Sequence, residues 1–334
     1  MDWEEAGLPT AASGKVVLAI EHRDGTGTVC LPRAWTNGQK GKPRTLLYLK
    51  ENNVHLDDSS SIDTHPMPLR GQQLAFRHEE VYITYSTFIR FMQGDPTLQF
   101  DTIDSSSYDR QSWTASNEGL PLVKYDSDVS LTGHSFGGCT VLSLLSNKPL
   151  DGYPPLNVER AVVLDPWLEP LPTPGPLPYI NSASSGEAAA KSSLEDATSS
   201  NAGDASGSDF ESKTGHSKML VINSETFTLW KDHYARLKES MAQWGPGGGR
   251  ILTLVDSVHV SFSDFPILPV FKKKHARPML ETITSLSLAF LEDNLDNKLK
   301  ELPTTPMEIK VIGVKKDGKP KRKLIGNPGD IIED

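Results

Sequence analysis

The chain has 334 residues, 37% of them hydrophobic, and a formal net charge of −9. That length is enough to bury one sizeable core, and the negative charge repels polyanions, so nucleic acid is not an expected partner. Only two cysteines occur, Cys30 and Cys139, which excludes a disulfide framework and any zinc site built on cysteine. No cofactor and no metal are predicted.

The N-terminus carries no recognisable targeting segment. Residues 1–14 are predicted to be an unstructured leader, because they lack the basic and then apolar stretches of a signal peptide. No apolar window approaches the length of a membrane-spanning helix. The sequence as written therefore predicts a cytoplasmic protein, and it leaves the oligomeric state open.

Apolar runs in the first hundred residues predict two strands and a helix. Lys15–Ile20 suits a strand buried on both faces, and Thr45–Leu49 is a shorter candidate. From Leu69 to Met92 the apolar residues recur at helical spacing, which predicts a helix with one buried face. A polar stretch interrupted by glycine and proline comes after it.

The remainder predicts an α/β fold with a mostly parallel central sheet, because strands alternate with helical or loop sequence. The sheet belongs to a domain of residues 15–300, interrupted by a serine-rich insert at 182–217 that is predicted to be disordered. Residues 301–334 are predicted to be a C-terminal tail. The four strands and the last helix are Val129–Thr132, Ala161–Leu164, Met219–Ile222, Ile251–Val255 and Pro278–Leu299.

One sequence motif within this pattern suggests a catalytic site. The first of the four strands runs into Gly133-His-Ser-Phe-Gly137 and then into an apolar, helix-compatible stretch, which is typical of a nucleophile elbow. Glycines at such a sharp turn let the backbone approach closely while the serine is held in a strained conformation. Ser135 is therefore the candidate nucleophile, and the backbone amide of Phe136 is a candidate oxyanion donor.

A serine nucleophile needs a histidine base and a carboxylate that orients it, and here they should come in the order Ser, Asp, His. Asp165 comes directly after the second of the four strands, and His259 follows the last one. The carboxyl ends of parallel strands share one edge of a sheet, so we predict Ser135, Asp165 and His259 as a triad. Asp256 is the competing carboxylate.

The other histidines are weaker candidates. His134 lies inside the elbow and is expected to shape the turn. The remaining ones considered are His216, His233 and His275, which lie in the insert, in a helix and in a basic loop.

Five motifs in this order resemble the platelet-activating factor acetylhydrolases of the plasma and type II kind, which have the α/β-hydrolase fold. The likeness spans about residues 15–295. The motifs are Ile20-Glu-His-Arg-Asp-Gly25, Gly133-His-Ser-Phe-Gly-Gly138, Leu164-Asp-Pro-Trp167, Ile222-Asn-Ser-Glu225 and Ser257-Val-His259 with Phe262-Ser-Asp-Phe265.

This resemblance implies a calcium-independent phospholipid esterase that removes a short or oxidised acyl group from the sn-2 position. It implies Ser135 as nucleophile, Asp165 as orienting acid, His259 as base and then acid, and the Phe136 amide as one oxyanion donor. Phospholipid is then the expected substrate, and peripheral contact with lipid surfaces is an associated expectation.

The sequence also departs from that family. Members carry further strands ahead of the one matching Lys15–Ile20, and a Ser-His-Gly-Leu-Gly-type loop that provides a second oxyanion amide. Neither is found in residues 1–14, so we expect an N-terminal truncation, with weak activity or aggregation of the chain as given. A signal peptide lost with the missing N-terminus is then the alternative to a cytoplasmic location. A generic carboxylesterase and a catalytically impaired remnant that binds lipid or protein are the competing functional hypotheses.

Two basic clusters have open interpretations. Phe271–Arg277 follows the predicted histidine base closely and suits phosphate head groups at the mouth of the site, or is a solvated loop. Lys315–Lys323 suits a nuclear address or a phosphate patch, or is a solvated part of the tail.

Overall fold

The computed structural model describes residues 10–27, 35–36, 39–40, 48–50, 67–99, 109–114, 116–117, 120–179, 216–244, 249–268, 270 and 274–334. Residues 1–9 of the predicted leader and most of the predicted strand Thr45–Leu49 lie outside these ranges. So does nearly all of the predicted insert at 182–217. The bounds proposed for the leader, the domain and the insert stay predictions.

Two short hairpins and a long helix precede the main sheet. The helix confirms the helical spacing found between Leu69 and Met92. In chain order these elements are β1 (Trp35–Thr36), β2 (Gln39–Lys40), α1 (Pro68–Met92), α2 (Arg110–Thr114), β3 (Ser116–Asn117) and β4 (Leu120–Pro121), with β1 paired to β2 and β3 to β4.

The remaining elements build the sheet and its connections. They are β5 (Val129–His134), α3 (Phe136–Ser146), β6 (Val158–Leu164), β7 (Lys218–Ser224), α4 (Glu225–Thr228), α5 (Lys231–Ala242), β8 (Gly249–Leu254), two short 3₁₀ helices (His259–Phe262 and Phe265–Ile267), α6 (Ala276–Leu291), α7 (Leu295–Glu301), β9 (Ile309–Val314), β10 (Pro320–Leu324) and β11 (Ile331–Glu333).

Five described strands form the central sheet in the order β11-β8-β7-β6-β5. The four predicted strands are confirmed as β5 to β8, and they are parallel, whereas β11 pairs antiparallel with β8. Because β5 to β8 run in the same direction, all four end at the same edge of the sheet. The mostly parallel α/β architecture is therefore confirmed.

Two apolar layers cover the sheet, because successive side chains of a buried strand point to opposite faces. In β6, Val163 packs in the layer formed with α1, α3 and α5. Its neighbour Val162 packs in the opposite layer, with α6 and α7. Among the described helices, none combines the length and the apolar composition needed to cross a bilayer.

The prediction of a doubly buried strand at Lys15–Ile20 is wrong. These residues form no strand, and the side chains of Val16, Val17 and Leu18 are 38–44% exposed. Only the end of the segment packs, where Ile20 contacts the cluster of Val81, Tyr82 and Leu144. An apolar run becomes a strand only when a neighbouring strand accepts its hydrogen bonds, and β5 is the last described strand on this side.

The segment beyond Glu301, predicted as a tail, is largely structured. Its end forms β11, in which Ile331 and Ile332 are fully buried. Before it, β9 and β10 form a separate two-stranded hairpin. The predicted helix Pro278–Leu299 is divided into α6 and α7, and Asp293 between them adopts a left-handed backbone with φ 58°.

Candidate active site

Ser135 lies at the turn between β5 and α3, as the elbow motif predicts. Its backbone is strained, with φ 57° and ψ −117°. Gly133 is required here, because a Cβ on it would clash with the backbone carbonyl of Gly137. The turn leaves Ser135 half-buried, with its hydroxyl at the N-terminal end of α3. The serine is thus fixed and reachable.

Asp165 follows β6 directly and is completely buried. Its Oδ1 accepts a hydrogen bond from the backbone amide of Ser224 (2.7 Å), and its Oδ2 accepts one from the Ser224 hydroxyl (2.9 Å). Its own amide donates to the carbonyl of Ile222 at the end of β7 (2.8 Å). The carboxylate therefore has one orientation, set by the adjacent strand.

His259 joins the other two residues. Its Nδ1 lies 2.7 Å from Asp165 Oδ2, and its Nε2 lies 2.8 Å from Ser135 Oγ. A carboxylate only accepts, so Nδ1 carries the proton and Nε2 is left to accept from the serine hydroxyl. The structure thus brings together the three residues predicted as a triad, from three separate strand ends.

Asp256, the competing carboxylate, is directed elsewhere. Its side chain pairs with Lys323 (3.0 Å), and its backbone amide donates to Glu225 Oε2 (2.6 Å). It lies three residues before His259 in sequence, but Asp165 is the carboxylate that contacts the imidazole.

Two aromatic rings flank the His259 imidazole. Phe227 stacks on it with a centroid distance of 4.8 Å and an interplanar angle of 4°. The ring of His134 lies 4.7 Å away, and its Nε2 donates to the backbone carbonyl of His259 (3.1 Å). Burial lowers the pKa of His134 to about 4, aided by the charge of His259, so the ring stays neutral near pH 7. His134 therefore contacts His259 as well as lying in the elbow.

The Phe136 amide is at the first position of α3, so it has no carbonyl partner within the helix. Such an amide beside the serine is suited to stabilise an oxyanion. The Phe136 side chain is held by a cation–π contact, with the Arg77 guanidinium 4.4 Å from the ring centroid. Trp167 lies on another side of it, at 6.0 Å, and its amide donates to the carbonyl of Ser135 (3.2 Å).

Arg77 links this half of the site to the motif at residues 20–25. Its Nε donates to Asp24 Oδ2 (2.6 Å) in an ion pair whose side chains are nearly inaccessible. Burial raises the pKa of Asp24, but the hydrogen bond and charge of Arg77, together with two hydrogen bonds from Thr26, outweigh it and hold that pKa below its usual value. Glu80 fixes the same segment through His22 Nδ1 (2.7 Å) and the amide of Arg23 (3.1 Å). The motif therefore anchors its segment to α1.

The weaker histidine candidates have other positions. His233 donates from Nε2 to the carbonyl of Pro166 (2.9 Å), so it supports the loop after Asp165, and burial lowers its pKa. His216 precedes β7 and His275 precedes α6. Cys139 is fully buried, and burial raises its thiol pKa, which favours the unreactive protonated form.

Sequence reasoning missed the roles of Ser224 and Phe227. Ser224 belongs to the Ile222-Asn-Ser-Glu225 motif, and its position at the end of β7 was the available signal. The contact of Phe227 depends on a short helix, Glu225–Thr228, that begins directly after β7, and no pattern in the sequence indicates this helix. Among the described residues, no group of three or more His, Cys, Asp or Glu side chains is arranged to hold a metal ion.

A mostly parallel sheet with helices on both faces, and a serine at a strained turn between strand and helix, define a protein of the α/β-hydrolase class. The model of one family, platelet-activating factor acetylhydrolase, isoform II, matches residues 5–190. The chain belongs to this family.

Three curated relatives named platelet-activating factor acetylhydrolase agree with this assignment. The protein of Cavia porcellus is 26% identical over 53% of this chain, and that of Bos taurus is likewise 26% identical over 53%. The protein of Gallus gallus is 21% identical over 87% of this chain. The matches cover 35%, 35% and 58% of the relatives' own lengths, so the chain spans only part of each.

Proposed function

We propose that the chain is a serine esterase that hydrolyses short or oxidised acyl esters at the sn-2 position of phospholipids. The observation that carries this proposal is the hydrogen-bonded series Asp165–His259–Ser135, with distances of 2.7 Å and 2.8 Å, at a half-buried nucleophile elbow. The phospholipid substrate rests on the family and on the name shared by the three relatives.

In the first half of the reaction, His259 Nε2 takes the hydroxyl proton of Ser135 as Oγ attacks the ester carbonyl carbon. The carbonyl oxygen becomes an oxyanion, to which the Phe136 amide donates a hydrogen bond. The imidazolium then gives its proton to the departing alkoxide, so the lysophospholipid leaves and an acyl-serine remains. Asp165 stabilises the positive charge on His259 throughout.

In the second half, water occupies the position vacated by the alcohol. His259 takes a proton from this water, and the resulting oxygen attacks the acyl carbonyl. Return of the proton to Ser135 Oγ releases the short carboxylic acid and restores the enzyme. All atoms are accounted for by the ester, one water molecule and the three side chains.

The first test is covalent labelling of the full chain with a fluorophosphonate, which reacts with activated serines. We expect labelling of the native protein and none of Ser135→Ala, together with a loss of esterase turnover of about a millionfold. Ser263→Ala is the matched control, because this serine lies four residues from His259 but donates only to a carbonyl in its own turn. Absence of labelling in folded protein would favour the lipid-binding remnant.

Substrate choice is tested separately. Phosphatidylcholines with an sn-2 acetyl and an sn-2 palmitoyl chain are compared with a simple aryl acetate, using the same enzyme preparation. A kcat/KM that is higher for the acetyl than for the palmitoyl phospholipid supports the proposal. Turnover of the aryl ester alone would point to the generic carboxylesterase instead.

A further inference from the structure

The hairpin of β9 and β10, residues 309–324, is here called the basic arm. Its strands pair from Ile309 with Leu324 to Val314 with Pro320. The turn is closed by the amide of Lys315, which donates to the carbonyl of Lys319 (2.8 Å). Every residue of β9 is exposed. A two-stranded hairpin is only marginally stable in water by itself, which makes its surface composition informative.

Several aliphatic side chains of β9 are exposed. Val311 and Ile312 are consecutive in β9, next to a register shift in its pairing with β10, and they are 58% and 47% exposed. Val314, near the turn, is 71% exposed. Exposed aliphatic residues grouped in this way are typical of a surface that contacts an apolar partner rather than of a solvated loop.

The arm is also strongly basic. It carries seven lysine and arginine residues and one acidic residue, Asp317, within a chain whose net charge is −9. Five of the seven are exposed along β9, the turn and the start of β10, namely Lys310, Lys315, Lys316, Lys319 and Lys321. Lys319 pairs with Asp317 (3.9 Å), and the positive charge of the others is available to an anionic partner.

The root of the arm lies beside the candidate active site. Leu324 is buried against Val255 and Ile332, and its amide donates to Glu225 Oε1 (3.1 Å). The other oxygen of Glu225 accepts from the amide of Asp256, in the loop that leads to His259. Glu225 also directly follows Ser224, which donates two hydrogen bonds to Asp165. The arm thus leaves the fold at the carboxyl-terminal edge of the sheet, where the triad residues meet.

We infer that the basic arm docks the active-site edge of the protein on an anionic phospholipid surface. Lysines at the head-group level and aliphatic side chains at the boundary with the acyl region are the combination that such a surface binds. Nucleic acid is a poorer fit, because the arm has one arginine, Arg322, and no aromatic residue on which a base could stack. This inference rests on the proposed function in one respect: a phospholipid substrate explains why docking on a phospholipid surface is useful.

The test is co-sedimentation of the full chain with vesicles, carried out in the Ser135→Ala background so that no substrate is consumed. Vesicles of phosphatidylcholine alone are compared with vesicles containing about one third phosphatidylserine. We expect binding to the anionic vesicles, weakened by raised salt. Because each lysine near such a surface contributes about 1 kcal/mol, Lys315→Glu with Lys316→Glu should weaken it by at least about tenfold.

The matched control is Lys148→Glu with Lys218→Glu, which makes the same charge change. These lysines are exposed, and they lie at the end of α3 and the start of β7, on the opposite edge of the sheet. This control should bind as the parent does. Val311→Ser with Ile312→Ser should reduce the binding that remains at high salt. Thermal melting shows whether each variant is folded. If the protein with Lys315→Glu and Lys316→Glu does not fold, Lys315→Gln with Lys316→Gln is measured in its place.

Equal vesicle binding by the arm and control variants would overturn the inference. So would binding of the parent to duplex or single-stranded oligonucleotides but not to anionic vesicles. Neither result depends on catalysis, because binding is measured without a nucleophile. Failure of the esterase proposal, in contrast, would appear as absent fluorophosphonate labelling of a chain that still binds vesicles.

Discussion

Asp165 and His259 are supported from the centre of the sheet, whereas Ser135 is supported from its outer strand. The carboxylate is completely buried between β6 and β7, and Phe227 and His134 flank the imidazole. Ser135 follows β5, which is the edge strand of the sheet among the described residues, and its neighbour Phe136 packs on Arg77 of α1. The acid–base half therefore depends on sheet contacts, and the serine half on a long helix and the segment it anchors.

The largest expected effect separates Asp165 from the competing carboxylate, Asp256. In Asp165→Asn, the amide group facing His259 donates instead of accepting, which places the histidine proton on Nε2, where it faces the serine. We expect kcat for an aryl acetate to fall by about 10⁴ with the fold retained. Asp256→Asn is the control and should change kcat by less than about threefold, since a surface pair of this kind contributes at most about 1 kcal/mol. Equal losses in both variants would contradict the assignment.

The next effect concerns stability in the serine half. Asp24→Asn removes the charge that balances buried Arg77, and leaving a buried charge unpaired costs about 3–5 kcal/mol. Urea unfolding of the full chain measures the change. The control is Asp128→Asn, which breaks a pair with Arg160 in which Asp128 is 42% exposed, and it should cost less than about 1 kcal/mol. A similar small cost for both variants would show that the motif at residues 20–25 does not anchor its segment to α1.

The predictable part of the molecule is governed by local pattern. Short, mostly apolar runs identified β5 to β8, because the buried strands β6 and β7 admit few polar residues. From there, Asp165 and His259 could be placed by chain order alone, since residues just past parallel strands share one edge. The strained turn at Ser135 was indicated by its glycines.

The unpredicted part depends on distant partners. Asp24 and Arg77 are 53 residues apart, and nothing near either one indicates the pair. β11 has only three residues, and its pairing partner β8 lies far earlier in the chain. Charged residues and glycines surround these three residues in the sequence, so no strand pattern was evident. Lys15–Ile20 shows the reverse error, because its apolar pattern is strand-like but no described strand pairs with it.

A smaller effect tests the stacking on His259. Phe227→Leu keeps an apolar side chain but removes the parallel ring, and aromatic pairs contribute about 0.5–1.5 kcal/mol beyond burial. If the ring orients the imidazole, kcat should fall by about three- to tenfold while KM stays within about twofold. Phe227→Tyr retains the ring and should restore most of the rate. A purely structural role would instead lower the melting temperature and leave kcat of the folded protein unchanged.

The last effect is a pH dependence that the serine half contributes through His78. Burial lowers the pKa of this histidine, which contacts Ser143 of α3, to about 4 from an ordinary value of 6.5. Between these two values the unfolded chain binds a proton that the folded chain excludes, so stability falls as pH falls, by about 1.4 kcal/mol per pH unit. His78→Gln keeps a donor for Ser143 but does not titrate. Urea unfolding at pH 7, 5.5 and 4.5 should show a shallower loss in this variant, and the same slope in both proteins would contradict the assignment. His134, whose pKa is also lowered to about 4, is present in both the parent and the His78→Gln protein. It accounts for the stability that the acid–base half loses as the pH falls.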